Sequence, residues 1–153
     1  MMKIAILIVI VLITLISTVL YLKLSIKKKR NESVIFKSDI IYIGGYDGID
    51  QDKDCNFVVY CNKLCLSIDE NIEKVYDLVD IKECKIIKKD ELVEALDKKQ
   101  ITLLNKIDCD KLIENRYILF NIEEKEEKTT IIFTASYPEF IVSAIHGAMK
   151  QEI

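Results

Sequence analysis

The sequence has little of what catalytic and nucleic-acid-binding proteins commonly use. It contains one histidine, His146, so histidine can supply at most one zinc ligand or one member of a catalytic triad. Basic charge is scarce beyond the N-terminus. Six of the 22 basic side chains and none of the 25 acidic ones lie in residues 1–30, which leaves residues 31–153 with a net charge of −9. We therefore expect no nucleic-acid partner, and no motif predicts a cofactor.

A long apolar run does occur at the N-terminus. Residues 4–22 contain no charged side chain, and 14 of these 19 residues are Ile, Leu or Val. A helix of that length measures about 28 Å, close to the roughly 30 Å hydrocarbon core of a bilayer. A cleaved secretory signal would be shorter and would end in a site such as Ala-x-Ala, which is missing here, so residues 1–30 are predicted to be a transmembrane anchor. Its defining residues are Ile4, Leu12 and Leu22, followed by the basic collar Lys27, Lys28, Lys29 and Arg30.

The charges that flank the run predict its orientation. The collar is more basic than the N-terminal flank, which offers only Lys3 and the chain amine. The positive-inside rule then puts the N-terminus outside and residues from about 31 onward in the cytoplasm. Five cysteines, an odd number, agree with a reducing compartment. We therefore expect a single-pass protein of the cell membrane with a cytoplasmic C-terminal domain.

After a short polar linker, residues 31–38, β-branched runs alternate with turn residues, which predicts a strand-rich domain over residues 39–151. Two hairpins are expected within it. One turns at Asn62-Lys63, where Asn can adopt a positive φ, and the other turns at residues 124–127. The seven predicted strands are Asp39–Gly45, Asn56–Cys61, Leu64–Ile68, Val75–Val79, Ile81–Lys88, Tyr117–Glu123 and Thr129–Thr134.

Two helices are predicted in the same domain. Asp90–Asp97 has its apolar residues at helical spacing, and it opens an insertion, residues 90–115, that the sequence does not assign further. The C-terminal helix follows Ser136-Tyr137-Pro138-Glu139, which has the form of a capping box with proline in the first turn. An apolar stripe with a period near 3.6 then predicts a helix face that packs on a sheet. The stripe consists of Phe140, Ile141, Ala144, Ile145 and Ala148.

Seven antiparallel strands followed by a helix are the element order of a pleckstrin-homology-like (PH-like) fold. The sequence resembles small membrane-anchored PH-like proteins of low-GC Gram-positive bacteria over roughly residues 39–150. The resemblance rests on Tyr42-Ile43-Gly44-Gly45, Ile81-Lys82-Glu83-Cys84, Thr130-Ile131-Ile132-Phe133 and the helix after Pro138. It implies an α+β, mainly β fold, in which a C-terminal helix caps a bent antiparallel sheet or partial barrel. The signature residues of that fold are Tyr42, Gly44, Gly45, Pro138, Phe140, Ile141 and Ile145.

Three cysteines, Cys55, Cys61 and Cys65, are close enough in sequence to suggest a metal site. If the hairpin turns at Asn62-Lys63, strand alternation puts residues 57, 59, 61, 64, 66 and 68 on one face and Cys65 on the other. A tetrahedral zinc site needs its ligands to converge on one point. We therefore interpret these cysteines as small, buried apolar side chains and predict no metal site.

Two loop motifs and the histidine favour structural interpretations. Asp50-x-Asp52-x-Asp54 resembles the opening of an EF-hand loop, but cysteine occupies the positions that require glycine and glutamate, so a solvated acidic loop is expected. The segment Gly44-Gly45-Tyr46-Asp47-Gly48 lacks the lysine and the following helix of a phosphate loop. Its glycines are expected to turn the chain at a strand end. His146 lies about one helical position off the apolar stripe and is expected at the rim of the helix or in solvent.

The anchor and the strand order favour a non-enzymatic interaction module held at the inner face of the membrane. Its expected partners are the lipid bilayer, through the N-terminal helix, and a membrane or membrane-proximal protein. Docking on a strand edge or beside the terminal helix is common on such folds. Two alternatives remain open. The fold resemblance suggests lipid head-group sensing, which the net charge of −9 opposes, and the cysteines suggest cysteine-dependent chemistry.

Overall fold

The computed structural model describes residues 14–22, 24, 33–101 and 103–150. The chain divides into two compact units between Ser33 and Val34. In the first unit, residues 14–22 are helical and Leu22 is 55% exposed. Within the described ranges, no helix combines the length and apolar character that a membrane crossing requires. Ile4, Leu12 and the collar Lys27, Lys28, Lys29 and Arg30 lie outside the described residues.

The second unit is mainly β, and its described residues form seven strands and two α-helices. The strands are β1 (Val34–Gly44), β2 (Lys53–Tyr60), β3 (Lys63–Ile68), β4 (Ile72–Asp77), β5 (Ile81–Lys88), β6 (Arg116–Glu124) and β7 (Glu127–Thr134). The helices are α1 (Lys89–Asp97) and α2 (Pro138–Lys150), and two short 3-10 helices cover Leu78–Asp80 and Cys109–Lys111. β1 begins five residues before the strand predicted at Asp39, inside the segment expected to be a linker.

The strands form one antiparallel sheet in the order β4-β3-β2-β1-β7-β6-β5. The sheet is open, because β4 and β5 lie at its two ends and are not paired with each other. Helix α2 contacts both β2 and β5, although three strands separate them in the sheet. The sheet must therefore curve around the helix. The coarse expectation of a seven-stranded antiparallel sheet with a C-terminal helix is confirmed.

The concave face of the sheet and α2 enclose the larger core, which we call the inner core. Strand alternation supplies it, because every second residue of β2 and β3 is buried there. Phe57, Phe120 and Phe133 come from three different strands and pack with ring centroids 5.7–6.5 Å apart. Burying a side chain of this size stabilises the fold by roughly 1.5–3 kcal/mol.

A second cluster, the outer core, lies on the opposite face of β1, β5, β6 and β7. Helix α1 and the segment that follows it, residues 101 and 103–112, cover this face. Leu92 of α1 is fully buried against the sheet. The insertion therefore acts as a second layer, and β6 and β7 are buried on both faces. The buried residues of the outer core are Ile43, Ile87, Leu92, Ile107, Leu112, Tyr117, Leu119 and Ile132.

The hairpin between β2 and β3 turns one residue earlier than expected, which shifts the pairing of the two strands by two residues. Val59 pairs with Leu64, which leaves Cys61-Asn62 as the loop instead of Asn62-Lys63. Asn62 does not have the positive φ that the sequence suggested. A register shift of two preserves the faces, so residues 57, 59, 64, 66 and 68 are buried together as predicted and Cys65 lies on the other face.

Two other turns use non-glycine residues at positive φ. Asp69 and Glu70 have φ of 52° and 58° between β3 and β4, and Lys125 and Glu126 have φ of 50° and 75° between β6 and β7. Consecutive positive φ values give the turn a twist that matches the twist of the flanking strands. The second predicted hairpin is confirmed, because Glu124 pairs with Glu127 across this turn.

Helix α2 departs from the predicted stripe at Phe140. Pro138, Ile141, Ile145 and Ala148 are buried, but Phe140 is 66% exposed. Successive helical residues are rotated by about 100°, and Ile145 is rotated from Ile141 in the direction opposite to Phe140. Phe140 therefore points away from the sheet and stacks edge to face on exposed Tyr137, with ring centroids 6.0 Å apart.

Candidate interaction surface

The Gly44-Gly45 segment, at the end of β1, contacts the insertion through hydrogen bonds. Gly45 has a φ of +134°, which only glycine adopts readily, so the expected sharp turn at the strand end is confirmed. The Gly45 amide donates a 2.6 Å hydrogen bond to Oδ1 of Asn105, and Nδ2 of Asn105 donates to the Ile49 carbonyl over 3.2 Å. One side chain of the insertion thus satisfies two backbone groups of this loop.

Three tyrosines connect the same loop to the edge of the sheet. The Tyr46 amide donates to the Tyr42 hydroxyl over 2.7 Å, and the Tyr46 and Tyr76 hydroxyls are 2.6 Å apart. Burial raises the pKa of Tyr42 to about 12, and it raises the pKa values of Tyr46 and Tyr76 as well. All three phenols are neutral at physiological pH. They hold β1 and β4 together through the inner core.

The cysteines do not form a cluster that points to chemistry. Cys55 and Cys84 are buried, and burial raises the pKa of each thiol to about 12. Cys61 lies in the β2–β3 turn, and Cys65 lies on the outer face of β3. All five cysteines are present as thiols, and within the described part of the chain no three metal-binding side chains come together.

The acidic loop before β2 packs against the insertion. Gln51 accepts a 3.0 Å hydrogen bond from the Asp108 amide and returns one of 3.4 Å to the Asp108 carbonyl. Lys53, at the start of β2, pairs with Asp69 of the next turn at 3.1 Å. Solvent reaches both residues of that pair and screens their attraction, so the pair contributes little to stability. The loop is solvated, as expected, but it is also a docking point for residues 105–108.

His146 is exposed, as predicted, and it occupies one edge of the sheet. Its Nε2 lies 2.9 Å from the carbonyl oxygen of Cys84 in β5, an edge strand. Helix α2 also packs along β5. Because α2 and His146 already contact β5, an additional strand has little room to pair with this edge.

The opposite edge, β4, is far more open. Glu73, Lys74, Val75 and Asp77 are all exposed, and Val75 is 51% exposed although it is an apolar residue in mid-strand. The outer face beside β4 is open as well, because the insertion covers only the other half of the sheet. We call this strand and the neighbouring outer face of β3 the β4 edge surface. The prediction of this strand at Val75–Val79 is wrong in its bounds, because β4 starts at Ile72, directly after the turn residues Asp69-Glu70-Asn71 that mark its start.

No protein-family model matches the chain, and no curated protein is significantly similar to it. By its fold, the second unit belongs to the class of mainly β domains built from an open seven-stranded antiparallel sheet and a C-terminal helix. Such a sheet offers a partner two kinds of surface, an unpaired strand edge and an uncovered face.

Proposed function

We propose that this protein is a non-enzymatic interaction module, tethered to the cell membrane by residues 4–22, whose PH-like domain binds another membrane or membrane-proximal protein from the cytoplasmic side. The observation that carries the proposal is the β4 edge surface. Among the described residues, it combines an unpaired strand edge with an exposed apolar side chain, while the opposite edge and half of the outer face are occupied by other parts of the domain.

The fold supports the PH-like part of the proposal through its element order, seven antiparallel strands followed by a helix. The sequence supports the tether and the orientation, through the uncharged run and the basic collar that follows it. Tethering restricts a domain to a thin layer beside the membrane. That restriction raises its effective concentration toward other membrane proteins without requiring a high intrinsic affinity.

In-cell proximity labelling tests the proposal. The labelling enzyme is fused to the C-terminus of the full chain, and the matched control lacks residues 4–22. We expect membrane proteins to be labelled reproducibly by the full chain and to be lost with the control. Labelling that is indistinguishable between the two proteins would contradict the proposal.

An impermeant thiol reagent tests the orientation separately. Cys65 and Cys109 are partly exposed, so they should react in permeabilised cells and stay unmodified in intact cells. Modification of either cysteine in intact cells would place the domain outside and overturn the cytoplasmic assignment.

A further inference from the structure

We propose that the β4 edge accepts an extended segment of the partner protein as an eighth strand, and that it selects a segment in which basic, apolar and basic side chains alternate with polar ones. This inference rests on the proposed function, since it names the surface that binds and the chemistry of the segment bound. It follows from three features of β4: its outward hydrogen-bonding groups, its outward charges and its incompatibility with a second copy of itself.

The backbone of β4 carries hydrogen-bonding groups that face away from the sheet. The Leu78 amide donates to the Asn62 carbonyl over 3.0 Å, which continues the β3–β4 register with a hydrogen-bonded pair. Hydrogen-bonded and non-hydrogen-bonded pairs alternate along an antiparallel ladder. Glu73, Val75 and Asp77 therefore occupy the non-hydrogen-bonded positions, where the amide and carbonyl groups of β4 face away from β3. Three alternate residues along the edge therefore present donors and acceptors to an incoming strand.

The charges on the outer face define what that strand carries. Glu73, Val75 and Asp77 lie on the same face, since they alternate along the strand. Neither carboxylate forms an ion pair with another side chain of the described residues. An added strand places a side chain directly opposite each of the three. Basic residues opposite Glu73 and Asp77 and an apolar residue opposite Val75 give the complementary arrangement.

The inner face of β4 is already fixed by the protein. Lys74 lies over the ring of Tyr46, with Nζ 5.3 Å from the ring centroid, and Tyr76 is held by the same tyrosine through its hydroxyl. These contacts order the edge strand before a partner arrives, which reduces the entropy lost on binding. They also leave positive charge on this face, so polar, uncharged side chains suit the intervening positions of the added strand.

A second copy of β4 does not meet these requirements. In an antiparallel pair, opposite side chains project from the same face, and like charges placed opposite each other are destabilising. Pairing two copies about Val75 puts Glu73 of each opposite Asp77 of the other. Pairing them about Lys74 puts the two lysines opposite each other. The edge therefore disfavours self-association in the two registers that pair most of the strand, and a basic segment avoids both conflicts.

Binding of a designed peptide tests the inference. The probe is a fluorescent peptide in which lysine, valine and lysine alternate with threonine, and the control peptide has the same composition with the lysines adjacent. Binding to the full chain in non-ionic detergent is followed by fluorescence anisotropy. We expect tighter binding of the alternating peptide. Equal affinity for both peptides would mean that the acidic domain attracts any basic peptide by its net charge, and it would overturn the inference.

Two variants make the test specific to the edge. Val75→Pro removes one outward amide, at an edge position where proline is compatible with the sheet, and it should weaken binding about tenfold or more, whereas Val75→Ala should change it by less than about threefold. Glu73→Lys combined with Asp77→Lys should switch the preference to a glutamate-valine-glutamate peptide. Equal affinity of Val75→Pro and Val75→Ala for the alternating lysine peptide would contradict the inference. If Val75→Pro fails to fold, the charge-reversed protein decides, and a continued preference for the lysine peptide over the glutamate peptide would contradict the inference.

Proximity labelling separates this inference from the proposed function. If the full chain labels membrane proteins and Val75→Pro labels the same proteins equally well, the proposed function is supported, but the β4 edge is not the docking site. If the full chain itself labels no membrane protein reproducibly, the proposed function fails, whatever the peptide experiment gives.

Discussion

Replacing Gly45 by alanine should destabilise the domain strongly, for two reasons that can be separated. The φ of +134° at Gly45 is strained for any L-residue, which costs about 1–3 kcal/mol. A Cβ at this position would also lie 2.4 Å from the Thr130 carbonyl oxygen and 2.8 Å from Cα of Ile131. Both are backbone atoms of β7, so the strand itself must move, at a further cost of about 1–3 kcal/mol. We expect a total loss of about 2–6 kcal/mol in the free energy of unfolding.

The other glycines provide matched controls. Gly48 also has a positive φ, +73°, but a Cβ there meets no atom within 4 Å, so Gly48→Ala should cost only about 1 kcal/mol. Gly147 lies in α2 in ordinary helical geometry with open space around it, and Gly147→Ala should stabilise the domain by about 0.5–1 kcal/mol. The three substitutions therefore isolate the clash, the φ strain and the helix propensity.

Equilibrium unfolding in urea, followed by far-UV circular dichroism, measures the series. The full chain is used in detergent, because the N-terminal segment then contributes the same baseline to every variant. The order of stability should be Gly147→Ala, wild type, Gly48→Ala and Gly45→Ala. If Gly45→Ala loses no more stability than Gly48→Ala, Gly45 does not approach the backbone of β7 as closely as described, and the clash argument is refuted.

Three further predictions concern the outer core, the tyrosines and the thiols. Leu92→Ala should cost about 2–5 kcal/mol because Leu92 is fully buried, whereas Phe140→Ala should change stability by less than about 1 kcal/mol; urea unfolding that gives the two equal effects would contradict the packing. Burial raises the folded-state pKa values of Tyr42, Tyr46 and Tyr76 above the ordinary value of 10, to about 12 for Tyr42. Their stabilising contribution is therefore complete below about pH 10 and is lost progressively as pH rises above it. Urea midpoints should therefore fall above pH 10, and less so in Tyr42→Phe combined with Tyr46→Phe. At pH 8, Cys84 and Cys55 should resist alkylation that modifies Cys109, as read by mass spectrometry, and should react only after unfolding; equal native rates would contradict their burial.

Local patterns were sufficient to predict most of the sheet. The β5 boundaries, Ile81–Lys88, and helix α1 follow directly from β-branched runs and helical spacing, and the structure agrees within one residue. The face assignments on β2 and β3 also hold, although the turn is displaced, because a shift of two in register does not change which side chains are buried. Alternation is thus a more robust predictor of burial than of turn position.

The misplaced features depend on contacts that are distant in sequence. The strand predicted at Val75–Val79 starts and ends earlier, because Leu78 inserts into the inner core from a 3-10 helix and not from a strand. Phe140 fits an apolar stripe by spacing, but the helix is rotated so that Pro138, Ile141 and Ile145 face the sheet. The role of residues 101–112 was hidden for the same reason. Residues 103–112 contain little regular structure, and their packing depends on a sheet face formed by other segments.

The double burial of β6 and β7 has a consequence for protein quality control. Tyr117-Ile118-Leu119-Phe120 and Ile131-Ile132-Phe133 are uninterrupted apolar runs of strand-forming residues, which favour pairing with strands of other molecules when they lose their cover. Residues 101–112 are the cover for one side of both runs. A protease that nicks the chain near Lys98–Gln100, where the helix has ended and Lys99 has a positive φ, would loosen that cover without cutting the sheet. Nicked molecules should therefore aggregate more readily than the intact chain, which light scattering before and after limited proteolysis would show.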